Sequence, residues 1–178
     1  MAPAAGGLNA LIFQNFTGYP VLIYSPENLP KANGLPNGNG GYLFCNANKD
    51  ADQDFAEHYG CLYTFEDAMK ICPSGWHLPT SADFENLLNY VGKSDLIKSQ
   101  KLRATSWDNG LDTFGFAALP TGYHYSGNYM NFGTNTNFWS STEKDTTLAY
   151  YFTINNKKTD IFGSYYKEGT FSVRCMKR

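Results

Sequence analysis

Few side chains along these 178 residues have types and spacings suited to chemistry. Glu57, Asp67, Asp83 and Glu85 are carboxylates on or beside stretches of helical spacing. There a solvated face or compensation of the helix dipole is a far commoner role than acid–base work. Ser140 and Ser141, in SSTE, have no GxSxG or HxD context, so they do not specify a nucleophile. Asp108, Asn109 and Asp112 share the loop WDNGLD, and oxygen ligands on a glycine-containing loop could take a hard cation such as calcium. The EF-hand pattern fails there, because no glutamate follows at the required distance. An Asx turn closing on its own backbone is the simpler expectation. A structural calcium is therefore the one cofactor considered, none is expected beyond it, and the chain is read as not an enzyme.

Cys45, Cys61, Cys72 and Cys175 allow three pairings and none stands in zinc spacing, so disulfides in an oxidising compartment are the better reading. Cys72 falls where a helix stops and Cys175 near the end of the chain. A bond between them would close a loop near 100 residues, worth roughly 4 to 5 kcal/mol in the chain-entropy account. Cys45 and Cys61 would then be left for each other.

The aromatic and amide side chains of the last third form the remaining group. GYHYSGNYMNFGTNTNF and FGSYYKEG mix Tyr and Phe with Ser, Gly, Asn and Thr, the composition of antibody loops, in which rigid amphipathic rings sit beside adaptable hydrogen-bonding groups. The candidate ligand contacts are Tyr123, His124, Tyr125, Asn128, Tyr129, Asn131, Asn135, Asn137, Tyr151, Thr153, Phe162, Ser164, Tyr165 and Tyr166. Phe116, Trp139, Tyr150, Phe152 and Phe171 are expected in the core instead.

These residues need elements to position them. Residues 1–20 read as a flexible leader or extension and 21–178 as one domain, opening with a strand at VLIY, Val21 to Tyr24. KANGLPNGNGG is punctuated as a loop, and YLF before Cys45 could be a short strand. Thr64 with Asp67 is a capping-box-like start for a helix over about Phe65 to Cys72, stopped by Pro73. Thr80 with Asp83 opens a second helix whose Phe84, Leu87, Leu88 and Val91 make one apolar stripe, ended by Gly92. Beyond Ser106 come FGFAALP, GYHYSG, NFWSST, LAYYFTIN, KTDIFG and FSVRCM, short strand-like runs between Gly, Asn and Asp. Two helices packed on an antiparallel sheet make an α+β domain. Trp76 is expected as an anchor between the helices, and Arg174 at the sheet rim or against an acid.

A net charge of −2 without any basic run argues against nucleic acid as a partner. No stretch approaches the roughly 20 apolar residues of a membrane span, and MAPAAGGLNA does not read as a signal peptide.

CPSGWHLP, ALPTGY, WSSTE and SVRC, in that order, give the chain from about Val21 onward a resemblance to the Fibrobacter succinogenes major paralogous domain family, which is widespread in Bacteroidetes surface proteins. The resemblance implies a C-type-lectin-like fold with a twisted antiparallel sheet, in which a helix cysteine bonds one in the last strand, here Cys72 with Cys175. The formylglycine-generating enzymes share this fold, but their reactive late cysteine pair is reduced here to Cys175. Calcium-dependent lectins carry Glu-Pro-Asn or Gln-Pro-Asp and Trp-Asn-Asp. This chain has FWSSTE where the last would stand, so calcium-mediated sugar binding is not expected. The tail is also similar to the variable proteins of Bacteroides diversity-generating retroelements, whose aromatic and Asn positions around WSS form a mutable binding surface. The expected function is thus an adhesin or receptor-binding domain for a protein or glycan ligand, at a bacterial cell surface, outside the cell or on a phage virion. A pilus or stalk component and an enzyme of the formylglycine-generating fold are the alternatives.

Overall fold

Thr64 and Thr80 start helices as their spacing to Asp67 and Asp83 requires. The computed structural model describes residues 10–14, 20–24, 59, 62–72, 74–157 and 159–177. Helix α1 spans Phe65–Ile71, with Thr64 accepting the Asp67 N–H; Cys72 is already extended at φ −66° and ψ 134°. Its stop falls where Pro73 disfavours the helical backbone of the residue before it. Helix α2, Ser81–Val91, carries a complete capping box between Thr80 and Asp83 and buries Phe84, Leu88 and Val91. Gly92 ends it at φ 148°, a backbone that side chains resist.

A third helix, α3, Asp95–Leu102, corrects the expected two. Its Leu96 and Ile97 face solvent while Ser99 and Leu102 are buried. The apolar residues therefore trace no buried stripe, and Ser94 makes no side-chain cap.

The expected single sheet is instead three small ones among the described residues. Strands β1 (Ala10–Gln14), β2 (Pro20–Tyr24), β3 (Trp76–His77) and β9 (Cys175–Lys177) form one sheet in the order β1-β2-β9-β3, all pairs antiparallel. β1 lies inside the stretch read as a leader and pairs with β2 from Ala10↔Tyr24 to Gln14↔Pro20. A hairpin joins β4 (Tyr123–Tyr125) to β5 (Asn128–Met130). Its two-residue turn, Ser126 at φ 50° and Gly127 at φ 79°, has the positive angles that match the twist of paired strands. Strands β6 (Asn135–Glu143), β7 (Leu148–Asn155) and β8 (Thr159–Tyr166) make the third sheet. The run FGFAALP makes no strand, only a single bridge from Ala118 to Arg103, and FSVRCM is a strand only from Cys175. Before it, single bridges join Thr170 to His124, Phe171 to Tyr63 and Ser172 to Phe138. A segment threaded between elements touches each once and builds no ladder.

β6 is buried on both faces, which is why FWSS reads as a continuous run and not as an alternation. Phe138, Phe152 and Ile154 face one apolar cluster with Phe84, Leu88, Val91, Leu102 and Phe116. Trp139 and Ala149 face a second with Tyr63, Phe65, Ala68, Phe171, Val173 and Cys175. Burying a large side chain of this kind stabilises by about 1.5–3 kcal/mol. Trp139 also donates its indole N–H to the Tyr63 carbonyl at 2.8 Å and packs on Phe171 at 4.3 Å. Phe116, Phe152 and Phe171 are buried as expected, whereas Tyr150 is only half-buried.

Cys72 bonds Cys175 across 103 residues, with Cα atoms 5.7 Å apart, clamping the end of α1 to β9. Trp76 is half-buried beside that clamp, packed on the second cluster. Arg174 is not at a rim. It is buried against the touching rings of Phe116 and Phe138 and donates to the Phe116 carbonyl at 3.1 Å. The loop expected over KANGLPNGNGG, the strand YLF and the Cys45–Cys61 pairing lie outside the described residues. Among the described residues no helix is long and apolar enough to cross a membrane.

Candidate functional site

Strand register builds the site. Antiparallel pairing sets Asn135 opposite Asn155, Asn137 opposite Thr153 and Trp139 opposite Tyr151, all on one face of the third sheet. The second apolar cluster covers the Trp139 end of that face. The other end carries amides and hydroxyls and forms the floor of an open groove of about 370 Å³. Tyr123, Asn131, Asn135, Asn137, Tyr151, Thr153 and Tyr165, all expected as ligand contacts, line it. Thr134, Asn155, Asn156 and Lys157 line it too and were missed. Asn155 was recoverable by pairing the two runs NTNF and FTIN, which sets it against Asn135.

The groove amides are held in place. Thr153 Oγ1 donates to Asn135 Oδ1 at 2.7 Å, and Asn135 Nδ2 donates to Asn137 Oδ1 at 3.1 Å. This relay fixes which end of each amide points where. It leaves the Asn137 amide N–H groups without a partner among the described residues, on a side chain whose residue is 3 % exposed.

Rings make the rest of the wall. Tyr165 meets Tyr123 at 5.6 Å and Phe171 at 5.3 Å, and Tyr151 meets Phe171 at 5.0 Å. Gly163 makes room for Tyr151: a Cβ there would lie 2.1 Å from the tyrosine ring. Burial, then the neighbouring tyrosines, push the Tyr165 hydroxyl up to about 12, so it is a neutral donor at physiological pH.

The other expected contacts whose side chains are described sit outside this groove. His124 exchanges backbone hydrogen bonds with Thr170, and burial lowers its pKa, so the imidazole is uncharged at neutral pH. Tyr125 stacks on Tyr166 at 5.5 Å with the planes 8° apart, an aromatic patch beside the groove wall. Asn128 donates to the Ser126 carbonyl at 3.1 Å and braces the hairpin turn. Tyr129 donates to the Thr121 carbonyl and its pKa is raised, first by burial. Ser164 accepts from Lys144 at 3.2 Å. Phe162 lies on β8, but its side chain is outside the described residues.

Ser140, Ser141, Asp67, Asp83 and the WDNGLD loop make contacts within the scaffold, while Glu57 lies outside the described residues. Between Trp139 and Glu143 the β6–β7 register shifts, which frees Ser140, Ser141 and Thr142 from the ladder. Thr142 Oγ1 accepts the Ser81 N–H at 3.0 Å, Ser140 and Ser81 hydroxyls lie 3.1 Å apart, and Ser141 N–H donates to the Pro79 carbonyl at 2.8 Å. The WSST motif thus fastens the start of α2 to the sheet. Asp67 accepts the hydroxyl of Thr64, the cap of α1, at 2.7 Å, and Asp83 completes the capping box of α2 by accepting the Thr80 N–H at 2.8 Å. In the WDNGLD loop, Asn109 donates to Asp108, and Asp112 accepts the Ala117 N–H at 2.8 Å. Burial raises the Asp112 pKa, against the Ala117 hydrogen bond and the Arg174 charge. Among the described residues no three His, Cys, Asp or Glu side chains converge as a metal site.

The family model of the Fibrobacter succinogenes major domain matches residues 37–177, well over half of the chain. The chain belongs to this family. The whole groove and the Cys72–Cys175 bond fall inside the Fibrobacter succinogenes major domain, whereas β1 and β2 precede the matched span and reach it through β9. No curated protein matches the chain.

Proposed function

We propose that this Fibrobacter succinogenes major domain is a non-enzymatic recognition module of C-type-lectin-like fold, an adhesin or receptor-binding domain acting outside the cell or on a virion. It holds a protein or glycan in the Tyr/Asn groove. The observation that carries this is the groove itself: amides pre-oriented by hydrogen bonds on the β6–β7–β8 sheet, beside tyrosine rings packed on Phe171, so little ordering is left to oppose binding. The bond between the end of α1 and β9 is the pairing the lectin-like fold calls for and supports that assignment. It also takes up the one late cysteine, Cys175, on which a formylglycine-generating activity would depend.

The test is binding of the labelled full chain to a panel of fixed bacterial and animal cells. The wild type is expected to bind at least one cell type, and a Tyr151→Ala, Tyr165→Ala double variant to lose it. Equal binding by both proteins, or none by either, would remove the reading. The groove positions also fit the tail of a variable protein of a diversity-generating retroelement. That reading expects a reverse transcriptase near the gene and a near-copy of the coding segment for Thr121 to Arg178, differing mainly at adenines. A neighbourhood without either makes the groove a fixed surface.

A further inference from the structure

We propose that the groove takes a neutral saccharide by direct contact, without a bridging metal ion; this rests on the recognition reading above and names its ligand class. The first support is the chemistry of the wall. Amides, hydroxyls and tyrosine rings line it, with no carboxylate and no aliphatic side chain among the described lining residues. A sugar presents hydroxyls that both donate and accept, which suits amides offering the same two functions, and C–H faces that suit aromatic rings. Calcium prefers carboxylate and carbonyl oxygens, and this wall offers no carboxylate to hold it.

The second support is Asn137. Its carboxamide oxygen is occupied by Asn135 and its N–H groups have no partner among the described residues, while the residue is all but buried at the groove floor. The amide nitrogen is not one of the buried atoms that lack a partner, so it opens onto the groove, and an occupant that displaces water there must bring an acceptor or leave the donor unmade. An apolar anchor from a protein partner would seal that donor away from water unpaired. Lys157, exposed near the end of β7, is the one charged side chain among the described lining residues. A single exposed ammonium gives a polyanion little to hold.

The experiment uses the full chain on an immobilised array of neutral, sialylated and sulfated glycans, with and without EDTA. Asn137→Asp keeps the acceptor for Asn135 but removes the free donor, and Tyr151→Leu removes a ring. We expect binding confined to neutral glycans, unchanged by EDTA, and weakened about tenfold in each variant, the scale of one buried hydrogen bond or stacking contact. Should either variant fail to fold, NMR titration of the wild type with the best neutral glycan must move the Asn135 and Asn137 side-chain amide signals first. Binding only to anionic glycans, loss in EDTA, or shifts mapping elsewhere would overturn the proposal. Silence on the array, with protease-sensitive binding to fixed cells retained, would overturn the saccharide and leave the recognition module standing. Silence in both assays would end both.

Discussion

At Gly163 the ring of Tyr151 occupies the space a side chain would need. Opposite Tyr151 in the β7–β8 register, the glycine lets the ring lie across β8. Gly163→Ala puts a methyl into that ring, and overpacking of this kind costs about 1–3 kcal/mol. The expected outcome is a lower unfolding midpoint and altered aromatic NMR signals for Tyr151; an unchanged Tyr151 spectrum would show that the ring does not depend on the glycine. The tyrosines expected at the surface were legible from composition, but their division was not. Tyr123, Tyr151 and Tyr165 reach the groove, while Tyr129 turns to the Thr121 carbonyl. Which way a ring points depends on cross-strand neighbours that no single run of sequence contains.

The two early helices were legible because their caps and stops are local. The capping box at Thr80 is satisfied in both directions, and Thr80→Ala is expected to cost about 1 kcal/mol. Because Asp83 acts through the same contacts, Thr80→Ala with Asp83→Ala should cost clearly less than the sum of the two single changes by urea denaturation; additive losses would mean the cap is not shared. Helix α3 escaped notice because Ser99 and Leu102, not Leu96 and Ile97, face the core. Ser99 donates to the Asn155 carbonyl at the end of β7, a contact 56 residues away in sequence. The serines of WSST stand in no nucleophile motif, and their part in fastening α2 appears only once the bulge in β6 is seen.

At the scale of the molecule, the Cys72–Cys175 bond ties the helical half to the last strand. In the chain-entropy account its 103-residue separation contributes about 4.7 kcal/mol, so Cys72→Ser with Cys175→Ser should lower stability by that order in urea titration. A loss well under 1 kcal/mol would mean that packing alone holds β9. Alkaline stability follows from buried phenols. Burial and the Asp67 charge raise Tyr63 to about 12, and Tyr165 is raised to about 12 as well. Both lie above the unfolded value near 10, so their contribution is full below about pH 10 and lost as pH climbs toward 12. The unfolding midpoint is expected to fall across that window, and Tyr63→Phe to flatten the fall; a flat profile in the wild type would contradict it.

The sequence by itself determined what depends on neighbours along the chain: the caps of α1 and α2, most of the strand runs of the tail, and its amide-and-tyrosine composition. It also marked Cys72 and Cys175 as candidates for one bond. Only the tertiary structure decided that the sheet divides in three, that β6 is buried on both faces, that Arg174 lies buried against two rings, and which amides share the groove. Those outcomes rest on strand register and on contacts between residues far apart in the chain, where a shift of one position exchanges core for surface.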